Sequence, residues 1–582
     1  VHNADIAAIF DEIADLLEIQ GANPFRVRAY RNAARTTGEL GRDLAAMVQA
    51  GADLEALPGI GEDLAAKIRE IVTTGRCSFL DRLRHELPPA VTELLKIPGL
   101  GPKRVRKLHD ALGVNSLPEL AAAAASGRIA RLEGFGPKTE EHIRAALATH
   151  IHTERRFLRA VAAQYAEPFA RYLRDAPGVH EVVIAGSYRR LRETVGDVDI
   201  LATAAQGADV VSHFTRYDEV RTVLSAGDTR ATVVLACGLQ VDLRVVPPES
   251  FGAALHYFTG SKAHNIAVRK LAQTRGLKIN EYGVFRGSKR VGGDTEASVF
   301  EAVGLAWIPP ELREDRGEID AARARTLPKL IEMADLKGDL HAHTKASDGR
   351  HSLREMAQAA RTLGLQYLAI TDHSQRLTVA HGLDPARLAR QHREIARLNE
   401  ELDGIRLLHG VEVDILEDGS LDLPEEALAN LDLVVAALHS KLDLPQAAQT
   451  ARVVKALANP RVDILAHPSA RLIGERPAVA LDMAAVIHAA RTAGAALEID
   501  AQPQRLDLDD VHCRLARDGG VLLTVSSDAH RTSDLEYLRL GIDQARRGWL
   551  EAADVLNTRP LGEVQAWLAA RRRTGRQRRH RA

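Results

Sequence analysis

The spacing of apolar residues changes period twice along the 582 residues, and each change marks a new kind of element. Between Asp5 and Leu44 the positions Ile6, Ile9, Phe10, Ile13, Leu16 and Leu17 recur at helical spacing, and Asn23-Pro24-Phe25 punctuates a second helix through Tyr30 and Ala34. Three Gly-x-Gly turns then each open a helical pattern, over Leu57–Val72, Ile97–Gly113 and Glu133–Ile143. Val182–Ala185 is an unbroken apolar, strand-like run, and over Gly196–Leu201 the period falls to two, the spacing of strands. From Asp339 onward short apolar runs alternate with helical stretches at 352–363, 385–402, 446–457, 478–493 and 508–518. Strand and helix repeated in this way predict a barrel of parallel strands whose C-terminal ends carry a site.

Length allows three or four domains, each with its own core. No apolar run approaches a bilayer span, and the start has no secretory pattern, so a cytoplasmic, nucleoid-associated protein without membrane contact is expected. Cys77, Cys237 and Cys513 lie scattered without a CxxC pair, which fits small apolar residues in a reducing compartment. The formal net charge is −1, so any nucleic-acid contact must come from local basic patches. One such patch is the end, Arg571–Arg581, expected as a disordered tail that either adds salt-sensitive attraction to DNA or is a plain solvated terminus.

Chemistry concentrates in three places. Gly186 and Ser187 follow a strand and would offer backbone N–H groups and a hydroxyl to an anion, with Arg189 and Arg190 adding cations suited to phosphate. Asp197 and Asp199 then alternate on a strand and share a face, where two acids repel unless a cation such as Mg²⁺ or Mn²⁺ sits between them. In the three glycine turns, Gly59 and Gly61, Gly99 and Gly101, Gly134 and Gly136 resemble helix-hairpin-helix elements, which let backbone N–H groups bind a DNA phosphate without reading sequence. A single such turn is ordinary helix punctuation; three spaced copies are not.

The stretch Gly186–Leu201 resembles family X DNA polymerases within the nucleotidyltransferase superfamily, and the resemblance continues through Tyr257–Asn265 and Ile279–Gly283. It implies Asp242 as a third carboxylate acting on the metal that activates the primer 3′-OH, with Asp197 and Asp199 holding both ions. It implies Ser187, Arg190 and Gly196 on the incoming triphosphate, Tyr257, Phe258 and Gly260 around the sugar, and Asn265, Arg269 and Glu281 supporting the nascent pair. Lys262 departs from the animal repair members, which carry an acid there. In the first domain the resemblance implies Arg26 and Tyr30 as phosphate-binding positions and Lys67 as a candidate Schiff-base nucleophile for 5′-deoxyribose-phosphate removal, although Asp63 stands where the family often has lysine; an ordinary surface lysine is the competing reading. Glu311–Ile319 resembles the closing segment of the family's thumb.

The third place is the barrel pattern. His341 and His343 share a strand face and Asp348 follows in a polar loop; His373, Glu412, His439, His467, Asp528 and His530 come after successive apolar strands. Nine ligand-type residues at strand ends point to a metal centre, and imidazoles mixed with carboxylates suit Zn²⁺, Mn²⁺ or Fe²⁺. The array resembles the PHP domain, named for polymerases and histidinol phosphatase, which implies a distorted barrel with three metal ions for phosphoester hydrolysis.

The expected organisation is a helical DNA-end-binding domain at 1–85, a helical region with two further hairpins at 86–150, an α+β nucleotidyltransferase palm and thumb at 151–327, an α/β TIM-like PHP barrel at 328–570 and a basic tail at 571–582. The expected activity is short gap filling in DNA repair with 3′–5′ exonuclease or phosphoesterase action, on gapped or primer-template DNA with dNTPs, by a monomer. Two alternatives stay open: a 3′-end nuclease with a vestigial polymerase unit, and a small-molecule phosphatase of the histidinol-phosphatase kind.

Overall fold

The computed structural model describes residues 3–579 except 39, 41–43, 58, 87–93, 96, 98–99, 151–155 and 205. The chain divides into two compact units, Val1–Arg155 and Arg156–Ala582. In the first unit, helices Asn3–Ile19 and Pro24–Gly38 bury the predicted apolar stripe, Ile6, Phe10, Ile13, Leu16 and Leu17, against Tyr30, Ile68 and Ile71. A separate core gathers Val105, Leu108, Leu120, Ile129 and Ile143.

The Gly-x-Gly turns do open helices: Glu62–Thr74 starts at the N-cap Gly61, and Pro102–Leu112 runs from the N-cap Gly101 to a left-handed Gly113. The third precedes Pro137–His150. Gly59 and Gly134 take positive φ, the conformation that favours glycine. Gly61, Gly101 and Gly136 lie in open space, where a Cβ would meet nothing within 4 Å. Internal packing therefore does not require glycine there. Gly99 lies outside the described residues.

The second unit begins with a five-stranded sheet, among the described residues, in the order Val179–Ile184, Asp197–Ala204, Gln240–Val246, Arg230–Leu235, Val220–Ala226. The Asp197–Ala204 and Gln240–Val246 strands pair in parallel with Asp199 opposite Asp242. Val198, Ile200, Val241 and Leu243 are buried in the core beneath, so strand alternation turns the acids to the opposite face. A second core, around Val268, Val284, Phe300 and Ile308, supports the helices Phe251–Thr259 and Lys262–Thr274.

From Gly338 seven parallel strands follow one another in chain order. A parallel bridge between Ala342 and Ala529 and the hydrogen bond from His343 N–H to the Ala529 carbonyl bring the last strand back to the first. Four of the five helical stretches expected from spacing start within two residues of their predicted starts; the stretch expected from 478 begins at Met483, where Asp482 accepts from the Ala485 N–H as its N-cap. The barrel's inner residues, including Tyr367, Leu408 and Val435, pack with Val564 and Leu568 of the C-terminal helix.

That helix, Leu561–Arg579, corrects the expectation of a disordered basic tail. Arg571 is buried: its guanidinium donates to the Val462 and Gly494 carbonyls and lies near Asp463. Arg572 donates to the Asp432 carbonyl. The run reads as low-complexity because its first arginines serve as donors to barrel carbonyls, which composition cannot distinguish from solvated charge.

Two candidate cation sites

On the sheet, the turn before the acids is set by contact with them. Gly186 has φ +61°, and a Cβ there would lie 2.1 Å from Asp199 Oδ2, so only glycine lets the turn close over the strand. Burial, then the charges of Asp197 and Asp242, push the Asp199 carboxyl up to about 7, although Arg190 and Arg244 oppose this. Three carboxylates thus gather where a cation would relieve their repulsion, which is the donor set a hard divalent ion requires. The Asp242 carboxylate is aimed by its neighbours: the Thr232 hydroxyl donates to one oxygen and Gln240 Nε2 to the other at 2.8 Å.

The remaining predicted residues of this unit surround that triad. Ser187 lies in the short helix Gly186–Arg189, with Gly196 just ahead of Asp197. Arg190 Nη1 donates to the Thr259 carbonyl at 2.6 Å and would lie 3.1 Å from a Cβ at Gly260. Asn265 Nδ2 donates to the Tyr257 carbonyl at 2.7 Å, while its buried Oδ1 accepts no hydrogen bond. Phe258 stacks under the Arg244 guanidinium, Arg269 donates to the Asn265 carbonyl, and Glu281 sits in the turn between strands Lys278–Asn280 and Gly283–Arg286. Lys262 is exposed at the start of its helix. Arg189 departs from expectation: it is clamped by both oxygens of Glu296, at 2.7 and 3.0 Å, and by Thr259. Glu296 also takes the buried Arg313, so Arg189 belongs to a structural ion network rather than to a phosphate pocket.

In the barrel all nine predicted ligand residues converge. Three groups of donor atoms lie close enough to share an ion: His343, Asp348, His373 and His530; His341, His343 and Asp528; His373, Glu412 and His439. His467 Nε2 joins them, 3.0 Å from Glu412 Oε1. His373 Nδ1 lies 2.8 Å, and His341 Nε2 3.5 Å, from Glu412 Oε2, yet none of these three buried atoms makes a hydrogen bond. Lone pairs converging without aligned protons fit cations between them. His467 and Asp528 themselves take positive φ, strain of the kind concentrated at functional sites.

Protonation at this centre is set by mutual compensation. Burial lowers the pKa of His373, but Glu412 and Asp348 raise it to about 9; burial likewise opposes Glu412 and Asp414 at His439, which is pushed up to about 10. His343, wedged between His530 and His373, is pulled down to about 4 by burial and those neighbours.

Spacing did not single out the residues that aim these ligands. Glu498 accepts from His341 Nδ1 at 2.8 Å and from the His467 N–H at 2.9 Å; Asp414 lies 2.5 Å from His439 Nδ1. Asp372 binds the Thr344 and Ser347 hydroxyls and the Thr344 N–H, which fixes the loop that carries Asp348. Asp414 follows Glu412 by two on one strand and so shares its face; that parity was the available signal. Glu498 was marked only by being an acid inside an apolar strand.

In the first unit Arg26, Arg82 and Lys67 surround the Phe79 ring at 4.9, 5.2 and 5.2 Å, and Arg26 is exposed. Tyr30, expected at a phosphate, is buried instead and stacks on Phe79. Lys67 Nζ donates to Asp63 at 2.5 Å; burial lowers its pKa, but Asp63 and the nearby Tyr30 hydroxyl outweigh this and hold it above the usual lysine value. A Schiff-base nucleophile needs the opposite.

Comparison with known proteins agrees with this layout. The DNA polymerase beta thumb family model matches residues 254–314, the helix-hairpin-helix domain 1–77, the SAM-like helix-hairpin-helix tandem 91–149 and the PHP domain 339–499. The chain is 40% identical over 572 residues to the DNA polymerase/3′-5′ exonuclease PolX of Bacillus subtilis (strain 168), covering 98% of this chain and 99% of that one. A "Probable phosphatase" of Thermoanaerobacter sp. (strain X514) is 31% identical over 246 residues, 40% of this chain and 95% of that protein. Another, of Acetivibrio thermocellus, is 36% identical over 166 residues, 28% of this chain and 64% of its own length.

Proposed function

The chain belongs to the PolX family of DNA polymerase/3′-5′ exonucleases, and from that premise we propose that it fills short gaps in DNA with one site and trims 3′ ends with the other. The observation that carries the polymerase half is Asp199 opposite Asp242 on paired strands beneath the Gly186 turn. When bound, divalent ions at both sites supply an acidified attacking oxygen and neutralise phosphate charge; Mg²⁺ or Mn²⁺ suits the all-oxygen triad, and three ions chosen from Zn²⁺, Mn²⁺ or Fe²⁺ suit the barrel.

The residues then have distinct tasks. Asp242, held by Thr232 and Gln240, orients the primer 3′-oxygen; Ser187, Arg190 and Gly196 bind the triphosphate; Tyr257, Phe258 and Gly260 shape the sugar pocket; and the Asn265 amide, with an acceptor to spare, faces the nascent pair. In the barrel, Glu498 accepts the Nδ1 proton of His341 and leaves its Nε2 lone pair toward the site. The helical unit holds DNA by the N–H groups behind Gly61, Gly101 and Gly136, where open space admits a phosphate. Among the described residues no helix is long and apolar enough to cross a membrane.

Template-directed extension of a gapped duplex, with hydrolysis of a labelled single strand measured on the same preparation, tests the proposal. Hydrolysis without extension would return the chain to the reading of a nuclease with an inactive polymerase half.

A further inference from the structure

The turn between Arg190 and Glu193 is held from the barrel. Arg547, at the end of helix Leu538–Arg547 and almost wholly buried, donates to the Arg190 carbonyl at 2.6 Å, to Glu314 Oε1 at 3.1 Å and to Asp510 at 2.5 Å. Arg471, four residues after the ligand His467, grips both oxygens of Glu193 at 3.3 and 2.7 Å, while its Nε donates to the Arg505 carbonyl. Between these two anchors Leu191 takes φ +57°, a conformation a branched side chain adopts only when its surroundings impose it. The turn presents Ser187 and Arg190 on one side and runs into Gly196 and Asp197 on the other.

Glu314 is the point of competition. Its Oε1 accepts from Arg190 Nε at 3.2 Å and from Arg547 Nη1 at 3.1 Å. Arg192 Nη1 lies farther off, 3.9 Å from the same oxygen, and a carboxylate shared among guanidiniums neutralises each only in part. With Arg547 absent, Glu314 has Arg190 as its nearest cation, and a triphosphate must displace it from that pairing.

We infer that Arg547 and Arg471 of the barrel are positioning residues for nucleotide addition: they fix the Arg190–Glu193 turn, and Arg547, by sharing Glu314 Oε1, weakens that carboxylate's hold on Arg190 so that a triphosphate can displace it. The inference rests on the proposed role of Arg190. It makes the barrel a working part of the polymerase half, quite apart from its own hydrolysis.

The experiment compares steady-state dNTP kinetics on gapped DNA for the full chain carrying Arg190→Met, Arg547→Gln, Glu193→Gln and the double substitution Arg547→Gln with Glu314→Gln. Arg547→Gln is expected to raise the dNTP KM about tenfold with little change in kcat, the size of weakening one charge-assisted hydrogen bond to substrate. Glu193→Gln acts in the same direction, by about threefold, because it loosens the turn from the other anchor without touching the barrel's interior. Adding Glu314→Gln to Arg547→Gln removes the competitor and returns KM toward the parent, a rescue that mere loss of folding would not give. Single-strand hydrolysis at the parent rate confirms that the barrel stays folded; should Arg547→Gln lose it, Glu193→Gln carries the test alone. A parent-like KM in Arg547→Gln and Glu193→Gln, or no rescue, overturns the inference. A parent-like KM in Arg190→Met instead overturns the assignment of Arg190 on which it rests.

Discussion

At the Gly186 turn three carboxylates meet with no imidazole among them, whereas at the barrel mouth Asp348, Glu412 and Asp528 each face at least two histidines. The first arrangement leaves charge uncompensated, and Asp199 answers by holding its proton up to about 7. The second compensates itself, with His373 and His439 at about 9 and 10. The difference teaches what each site does with its ions. A half-buried, oxygen-only triad is the kind of site that would take up a second ion with the nucleotide and release it with the product in two-metal transfer. A buried set that includes imidazoles would hold its ions as part of the fold.

The largest way to break the comparison is Asp242→Ala. It should lower extension on the order of a thousand-fold, the several kcal/mol that a metal-bound transition state loses, with gapped-DNA affinity and single-strand hydrolysis unchanged. Extension persisting at the parent rate ends the assignment. Next, Glu498→Gln should lower metal affinity in the barrel about 10- to 100-fold, read by metal analysis after chelator dialysis, while extension stays as it was. Hydrolysis surviving such dialysis unchanged would show that Glu498 does not aim His341.

A smaller effect sharpens the electrostatic half. In the metal-free protein Asp199 keeps its proton to about pH 7, against a reference value of 3.8. The folded state therefore binds more protons than the unfolded one between those values, so stability falls as pH rises through that window. Mg²⁺ should raise the melting temperature by about 2 °C at pH 8 and hardly at pH 5, and Asp199→Asn should remove the difference. An equal rise at both pH values contradicts the raised pKa. Smallest of all, Lys67→Ala should leave extension unaltered, and borohydride should trap no adduct between the parent and an incised abasic strand, because Asp63 keeps the amine protonated.

Both sites were legible because their chemistry follows strand parity. Asp197 and Asp199 had to share a face, and His341 with His343 likewise, whatever the sheet around them. The barrel could be read from strands and helices alternating over some two hundred residues. What stayed hidden was pairing between distant segments. Nothing near Arg189 announces Glu296, nothing near Lys67 announces the Tyr30 hydroxyl that helps raise its pKa, and Tyr30, placed at a phosphate by resemblance, instead stacks on Phe79. The Arg571 run looked like solvent-exposed charge because the carbonyls it satisfies, those of Val462 and Gly494, lie 109 and 77 residues earlier.

The central claim is that two ion sites of opposite character work independently in their chemistry, and the His341→Ala, His343→Ala double substitution tests it most directly. Both imidazoles lie in the barrel, where neither touches Asp197, Asp199 or Asp242, and losing them should empty the cluster. On one folded preparation, checked by its melting curve and metal content, single-strand hydrolysis should vanish while gapped-DNA extension continues. Hydrolysis at the parent level from an emptied cluster would contradict the account and move that activity to the polymerase half.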